Sequence, residues 1–186
     1  EGNGHTIDFR GTSYVPNRGI WHMTVQNLTA YSRNHYGPFT VRLANNQSTQ
    51  TFHNYNNIGS QMLYAVSTHV TFSGDVVNDM YYDYDSPFDG SNQTTYGDID
   101  ANLQISDLEM LNGSTFIGKT QSAGNIAISG SGNVVIGEDA EIDLEGKSVR
   151  NTSVGEALGY GINMNGTFHM KKRSTITYSY RYHPDR

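Results

Sequence analysis

Residues 125–146, NIAISGSGNVVIGEDAEIDLEG, contain the pattern that decides the fold. Three pairs of apolar residues occur here, and each pair starts eight residues after the previous one: Ile126 and Ile128, Val134 and Ile136, and Ile142 and Leu144. Alternation within a pair indicates a short strand with one buried face, and the intervening Ser, Gly and Asp residues favour turns. The stretch therefore predicts short strands separated by tight turns at a regular interval.

The same interval occurs in two other parts of the chain. Met62 and Tyr64 are followed eight residues later by Val70 and Phe72, and Phe168 and Met170 are followed by Ile176 and Tyr178. Residues 134–144 also align with residues 168–178 at an offset of 34, which places Val134, Ile136, Ala140, Ile142 and Leu144 on Phe168, Met170, Ser174, Ile176 and Tyr178. Three eight-residue steps give a coil of about 24 residues. We expect residues 151–161, NTSVGEALGYG, to form the loop that lengthens this coil.

A repeat of this kind predicts an all-β fold in which the chain winds as a parallel β-helix, a solenoid, within a single domain of residues 1–186. Each strand would pair with its equivalent one coil away, about 4.8 Å along the axis, and the inward side chains would stack in an apolar column. Asn, Gly, Ser and Thr would occupy the corners. An antiparallel sandwich of short strands is the alternative that the spacing allows.

The composition excludes several other classes of protein. Asn, Ser and Thr supply 52 of the 186 residues, and only 16% of the chain is charged, which disfavours a helical bundle. The absence of cysteine excludes a disulfide framework, a Cys-based zinc site and a thiol nucleophile. No apolar run has the length needed to cross a bilayer, so we expect no membrane insertion.

The charge distribution disfavours nucleic acid as a partner. Residues 75–156 contain 15 acidic and 3 basic residues, a net charge of −12, and a surface of this sign repels phosphate backbones. The basic triplet Lys171, Lys172 and Arg173 is interpreted as a solvated turn.

Four phrases of the sequence resemble a known family. They are GNGHTIDF (2–9), VQNLTAYSRNHYGPF (25–39), NNIGSQMLYAVSTHVTFSG (56–74), and GNVVIGEDAEIDL with NGTFHMKKRSTIT (132–144 and 165–177). Together, in this order, they resemble the pectate-lyase-like adhesive domain of large cell-surface proteins from lactic-acid-type Gram-positive bacteria. The resemblance implies a right-handed parallel β-helix, an extracellular location on the cell surface or cell wall, and a role in adhesion without catalysis. Because the first residues enter a strand pattern directly, without a cap, we expect the chain to be a section of a larger surface protein.

The segment DMYYDYDSPFDG, residues 79–90, is the densest group of chemically active side chains. Its carboxylates, Asp79, Asp83, Asp85 and Asp89, are candidate ligands for Ca²⁺, which takes six to eight oxygen ligands. A solvated acidic loop is the simpler interpretation, since the spacing differs from that of an EF-hand. The aromatic residues Tyr81, Tyr82 and Tyr84 suggest a different role, because exposed tyrosine rings stack on sugars and anchor contacts.

A second polar and aromatic group follows in SRNHYG. Tyr31, Arg33, His35 and Tyr36 have the composition of a recognition surface. We expect these residues, together with the tyrosines of residues 79–90, to bind a host glycan, a cell-wall glycan or a matrix protein.

Two further functions are possible on the same scaffold. A polysaccharide lyase would need an arginine beside bound Ca²⁺, for which Arg42, Arg150 and Arg181 are candidates. A glycoside hydrolase would need two carboxyl groups across a cleft, such as Asp98 and Asp100. A structural stalk that spaces other domains from the cell wall is the remaining alternative.

Overall fold

The computed structural model describes residues 3–8, 22–31, 48–80, 103–121, 128–148 and 161–182, and these residues form β strands without any helix. The strands are β1 (His5–Asp8), β2 (His22–Tyr31), β3 (Ser48–Ile58), β4 (Leu63–Asp79), β5 (Leu103–Met110), β6 (Thr115–Gln121), β7 (Ile128–Gly130), β8 (Val134–Ile136), β9 (Glu141–Ser148), β10 (Ile162–Met164), β11 (Phe168–Met170) and β12 (Thr175–Tyr182). None of the described residues belongs to a helix that could cross a membrane.

All pairings among these strands are parallel, and the strands curl into a half-barrel. The strands β1 to β4 follow one another in the sheet, and the long strand β4 then pairs with both β5 and β6. The strands β7, β8 and β9 lie beside this pair, and β10, β11 and β12 lie beside them in turn. The antiparallel sandwich is therefore wrong for the described part of the chain.

The offset of 34 residues predicted from the sequence is confirmed by the register. Val134 lies beside Phe168, Ile136 beside Met170, and Leu144 beside Tyr178. The three short strands in residues 128–148 are also confirmed, although Ile126 lies outside the described residues.

The core consists of side chains stacked in register through successive strands. The first inner column contains Val25, Phe52, Phe72, Met110, Ile136 and Met170. The second inner column contains Leu28, Tyr55, Val76, Phe116, Ile142 and Ile176. The two columns touch through aromatic rings, since the ring centroid of Phe52 lies 5.3 Å from that of Tyr55 and the ring centroid of Phe72 lies 5.1 Å from that of Phe116.

The exposure of the last strands differs from the sequence prediction. Phe168, Met170 and Tyr178 occupy inner positions as expected, yet their side chains are 40%, 44% and 40% exposed. They are exposed because no described strand pairs with the outer edge of β10, β11 or β12. Alternation predicts which way a side chain points, but burial also requires a neighbour on each side.

A corner with left-handed backbone separates the two inner columns. Its members are Asn27, Asn54, Gly74, Gly113, Asp139 and Arg173, with φ between 47° and 67°. Asparagine, aspartate and glycine are the residues that adopt this conformation most easily. We call this feature the left-handed corner.

The left-handed corner becomes a longer turn in the later strands. Residues 111–114, 137–140 and 171–174 each close with a backbone hydrogen bond from the fourth residue to the first, at 3.1, 3.2 and 3.2 Å. The basic triplet lies in the last of these turns and is exposed, as predicted. Arg173 also donates hydrogen bonds to Asp139 and, at 3.0 Å, to Glu138 of the preceding turn. The hydrogen bonds from the Arg173 guanidinium to Asp139 hold the pKa of the Asp139 carboxyl below its ordinary value.

Two buried amide side chains contribute differently to the interior. Asn78 donates from Nδ2 to the carbonyl oxygens of Ser60, at 2.7 Å, and Asn57, at 3.3 Å, and its Oδ1 accepts from the Met62 N–H at 3.2 Å. These bonds fix the turn that connects β3 to β4. Gln50 is also completely buried, but among the described residues neither its Oε1 nor its Nε2 has a hydrogen-bond partner. In the sheet register, Gln50 of β3 lies between Met23 of β2 and Val70 of β4.

Candidate functional site

The first strands end at a common corner of the half-barrel. Register places the following positions in one column: Asp8, Tyr31, Ile58, Asp79, Lys119 and Glu145. We call this column the exit corner, because β1 to β4 end there and β6 and β9 end within three residues of it.

Differences in coil length arise after the exit corner. Thr68 lies beside Ser48, an offset of 20 residues, whereas Thr115 lies beside Asp75, an offset of 40. From Ile58 the chain reaches the next strand at Leu63, but from Asp79 it reaches the next strand only at Leu103. Elsewhere the register shifts by only one or two residues, so most of the additional residues follow the exit corner.

Both predicted recognition groups follow this corner in the chain. Tyr31 is half-buried at the end of β2, and Asp79 occupies the same column at the end of β4. Two strand spacings, about 10 Å, therefore separate the points from which the two segments start. Their remaining predicted ligand-binding residues lie outside the described part of the chain: Arg33, His35, Tyr36, Tyr81, Tyr82 and Tyr84.

The acidic cluster is described only at its first member. The Asp79 carboxylate pairs with Lys119, whose Nζ lies 3.3 Å from Oδ2, and Lys119 itself stands in register between Asp79 and Glu145. This lysine already balances the charge of Asp79. A Ca²⁺ ion in this segment would therefore depend mainly on Asp83, Asp85 and Asp89, which lie outside the described residues.

The residues considered for catalysis are mostly not described. Arg42, Asp98, Asp100 and Arg150 lie outside the ranges given above, and Arg181 lies in β12. Within those ranges, no group of three or more His, Asp or Glu residues is arranged to hold a metal ion.

A polar groove that the sequence did not indicate lies beside the left-handed corner. It is open to solvent, has a volume of about 490 Å³, and is lined by Asn3, Gly4, Asn27, Leu28, Thr29, Asn54 and Asn56. Asparagine is common at turns throughout this chain, so its type alone could not distinguish these positions. The signal that could have found them is the register itself, which aligns Thr29 with Asn56 across β2 and β3.

The described outward positions of β2, β3 and β4 that precede the left-handed corner carry no formal charge. Nine outward positions of β2, β3 and β4 contain neither acidic residues nor lysine nor arginine: His22, Thr24, Gln26, Thr49, Thr51, His53, His69, Thr71 and Ser73. The next strand places Asp107 beside His69 and Glu109 beside Thr71. The neutral surface therefore lies on the part of β2, β3 and β4 before the left-handed corner, and acidic side chains begin at Asp75 of β4 and continue in β5.

Comparison with known proteins relates the first coils to a family. No curated protein and no solved structure gives a significant match to this chain. The phrases GNGHTIDF and VQNLTAYSRNHYGPF, which suggested the resemblance, lie in the part that does match a family model. Residues 1–64, which contain β1, β2, β3 and the start of β4, match the model of the pectate lyase-like adhesive domain.

Proposed function

We propose that this chain is a non-catalytic adhesion module, a section of a right-handed parallel β-helix displayed on a bacterial cell surface. The family match over residues 1–64 supports a role in adhesion. The observation that carries the proposal is the exit corner, where Tyr31 and Asp79 stand in one column. The two recognition segments therefore start from the same side of the sheet.

The proposed ligand is a host or cell-wall glycan, or a matrix protein, bound through Tyr31, Arg33, His35, Tyr36, Tyr81, Tyr82 and Tyr84. Tyrosine rings offer flat apolar faces for sugar rings at a small cost in side-chain entropy, and arginine and histidine supply hydrogen-bond donors. Each contact is weak, so useful affinity would come from display of many copies.

Binding of the whole chain to immobilised glycans and matrix proteins tests this proposal. We expect Tyr81→Ala and Tyr84→Ala to weaken binding by about tenfold, since an aromatic anchor contributes roughly 1–2 kcal/mol. Tyr178→Ala is the matched control, because Tyr178 is an exposed tyrosine of β12, far along the chain from both segments. Equal affinities for the wild type and the Tyr81 and Tyr84 variants would contradict the proposed surface.

We also propose that Asp83, Asp85 and Asp89 bind Ca²⁺, with Asp79 in a supporting position. A bound ion stabilises the folded state by mass action, so the melting temperature should rise with millimolar CaCl₂ but not with MgCl₂. The variant Asp85→Asn should reduce this rise, whereas Asp143→Asn, in β9, should leave it unchanged. Identical melting curves with and without Ca²⁺ would show that these aspartates do not bind the ion.

A further inference from the structure

The polar groove beside the left-handed corner has the size of a small-molecule site. Its volume of about 490 Å³ lies within the range of roughly 300–1,000 Å³ found for ligand pockets. Three asparagines and one threonine line its wall on β2 and β3: Asn27, Thr29, Asn54 and Asn56. All four side chains lie in parts of the chain that the structure describes, unlike the segments that follow the exit corner.

The amide groups of the groove are held in fixed orientations. Asn54 Nδ2 donates to Asn27 Oδ1 at 3.2 Å and to His53 Nε2 at 3.0 Å. Asn54 Oδ1 accepts from the Asp75 N–H at 3.1 Å. This last bond depends on Gly74, because a Cβ at that position would lie 2.1 Å from Asn54 Oδ1. A ligand would therefore meet side chains that are already ordered, which reduces the entropic cost of binding.

The groove retains hydrogen-bonding groups for a ligand. Asn56 Nδ2 donates to Thr29 Oγ1 at 3.1 Å. Neither the Thr29 hydroxyl proton nor Asn56 Oδ1 has a partner among the described residues, so they are available as a donor and an acceptor. Asn27 Oδ1 accepts from Asn54, and its Nδ2, which has no partner among the residues that the structure describes, is a second donor. A sugar hydroxyl both donates and accepts, and thus suits this mixed set of amides and a hydroxyl.

The charge of the surroundings favours a neutral sugar over an acidic one. None of the described residues that line the groove is charged, and its β2 and β3 members adjoin the uncharged outward face of these strands. The exposed Asp75 follows the left-handed corner directly and is bonded to Asn54 through its backbone. A polyuronate would place its carboxylates beside this aspartate, in a chain whose net charge is −6.

We propose that this groove is a binding site for neutral oligosaccharides, separate from the recognition segments that follow the exit corner. Thr29 and Asn56 would bind sugar hydroxyl groups directly, and Asn54 would position the wall of the groove. The site goes beyond the proposed adhesive surface, since it requires none of the tyrosines assigned there.

Isothermal titration of the whole chain with neutral hexasaccharides of glucose, mannose and xylose, and with hexagalacturonate, tests this inference. We expect at least one neutral hexasaccharide to bind more tightly than hexagalacturonate. Thr29→Val and Asn56→Ala should each raise its Kd by about three- to tenfold, the effect of one lost hydrogen bond. Circular dichroism would show that both variants retain the β fold.

Thr177→Val is the matched control, because Thr177 stands in the same outward column as Thr29 and Asn56, in the last described strand. Its Kd should stay within twofold of the wild type. The inference is overturned if no neutral hexasaccharide binds at millimolar concentration, if hexagalacturonate binds more tightly, or if Thr177→Val has the same effect as Thr29→Val. Loss of binding in Tyr81→Ala but not in Asn56→Ala would also overturn it, while supporting the surface at the exit corner.

Discussion

Two of the buried amides, Gln50 and Asn78, allow a prediction in which similar substitutions have opposite effects on stability. Gln50 and Asn78 are both completely buried, but of these two amides only that of Asn78 has hydrogen-bond partners among the described residues. A buried polar group without a partner costs about 1–3 kcal/mol. Gln50→Met keeps an unbranched side chain of similar shape and removes both unpaired atoms. We expect it to raise the free energy of unfolding by about 1–3 kcal/mol.

Asn78→Leu should lower the free energy of unfolding. It removes the donor for the carbonyl groups of Ser60 and Asn57 and the acceptor for the Met62 N–H. Groups left unpaired in this way cost about 1–3 kcal/mol each, and solvent can reach some of them after relaxation, so we expect a net loss of about 2–4 kcal/mol.

Urea unfolding followed by circular dichroism measures both changes. For a chain of this length, 1 kcal/mol corresponds to a shift of about 2–4 °C in melting temperature, so thermal scans should give the same order of the three proteins. A Gln50→Met variant less stable than the wild type would show that the Gln50 amide is satisfied, and would refute the reasoning. An Asn78→Leu variant of unchanged stability would show that the hydrogen bonds of Asn78 do not stabilise the turn between β3 and β4.

Three further predictions concern the stacked columns and the corners. Met110→Ala should lower the free energy of unfolding, measured by urea denaturation, by about 2–5 kcal/mol. Met170 lies in the same column but is 44% exposed, so Met170→Ala should lower it by about 1 kcal/mol or less. Equal losses in the two variants would contradict the stacking. Gly166→Ala should destabilise the protein by about 1–3 kcal/mol, because the added Cβ would lie 1.8 Å from the Gly132 carbonyl oxygen. The control in the same assay is Asn165→Ala, since Asn165 is the exposed neighbour of Gly166. Asp139→Asn keeps a side chain that tolerates positive φ but loses the ion pair with Arg173. The wild type should therefore have a higher free energy of unfolding than the variant above about pH 4. This difference should disappear as the pH falls through the lowered pKa of Asp139. A pH-independent difference between these two proteins would show that the charge of Asp139 does not contribute.

The strand rhythm and the offset of 34 residues were predictable because both follow from burial. A side chain inside a parallel stack has equivalent neighbours above and below it, so apolar residues recur at the same positions of each coil, as Ile136 and Met170 do. The burial of Leu63 beside Met62 was not predicted. Met62 precedes the strand, where strict alternation does not yet apply.

The left-handed corner shows why other features escaped prediction. Asn27 and Gly74 have residue types that favour this backbone, but Arg173 does not. Its side chain is instead held by bonds to Asp139 and Glu138. Such bonds join residues 34 or 35 positions apart, and no local pattern indicates them. The groove beside Asn54 depends on the same kind of contact.

The position of the candidate surfaces was predictable only in part. The sequence indicated two polar and aromatic segments, but their relation depends on how many residues each coil contains. Because the coils between Tyr31 and Asp79 differ in length, only the register shows that these two residues occupy one column.

Variable length after the exit corner has a consequence for how such chains can change. A residue gained or lost inside a strand would turn every later side chain of that strand to the opposite face. A residue gained after Tyr31 or Asp79 alters only the connecting segment, because the next strand can begin again in its old alignment. Descendants of one ancestral gene could thus differ by dozens of amino acids in total size, and in what they bind, while their hydrophobic interiors remained superimposable.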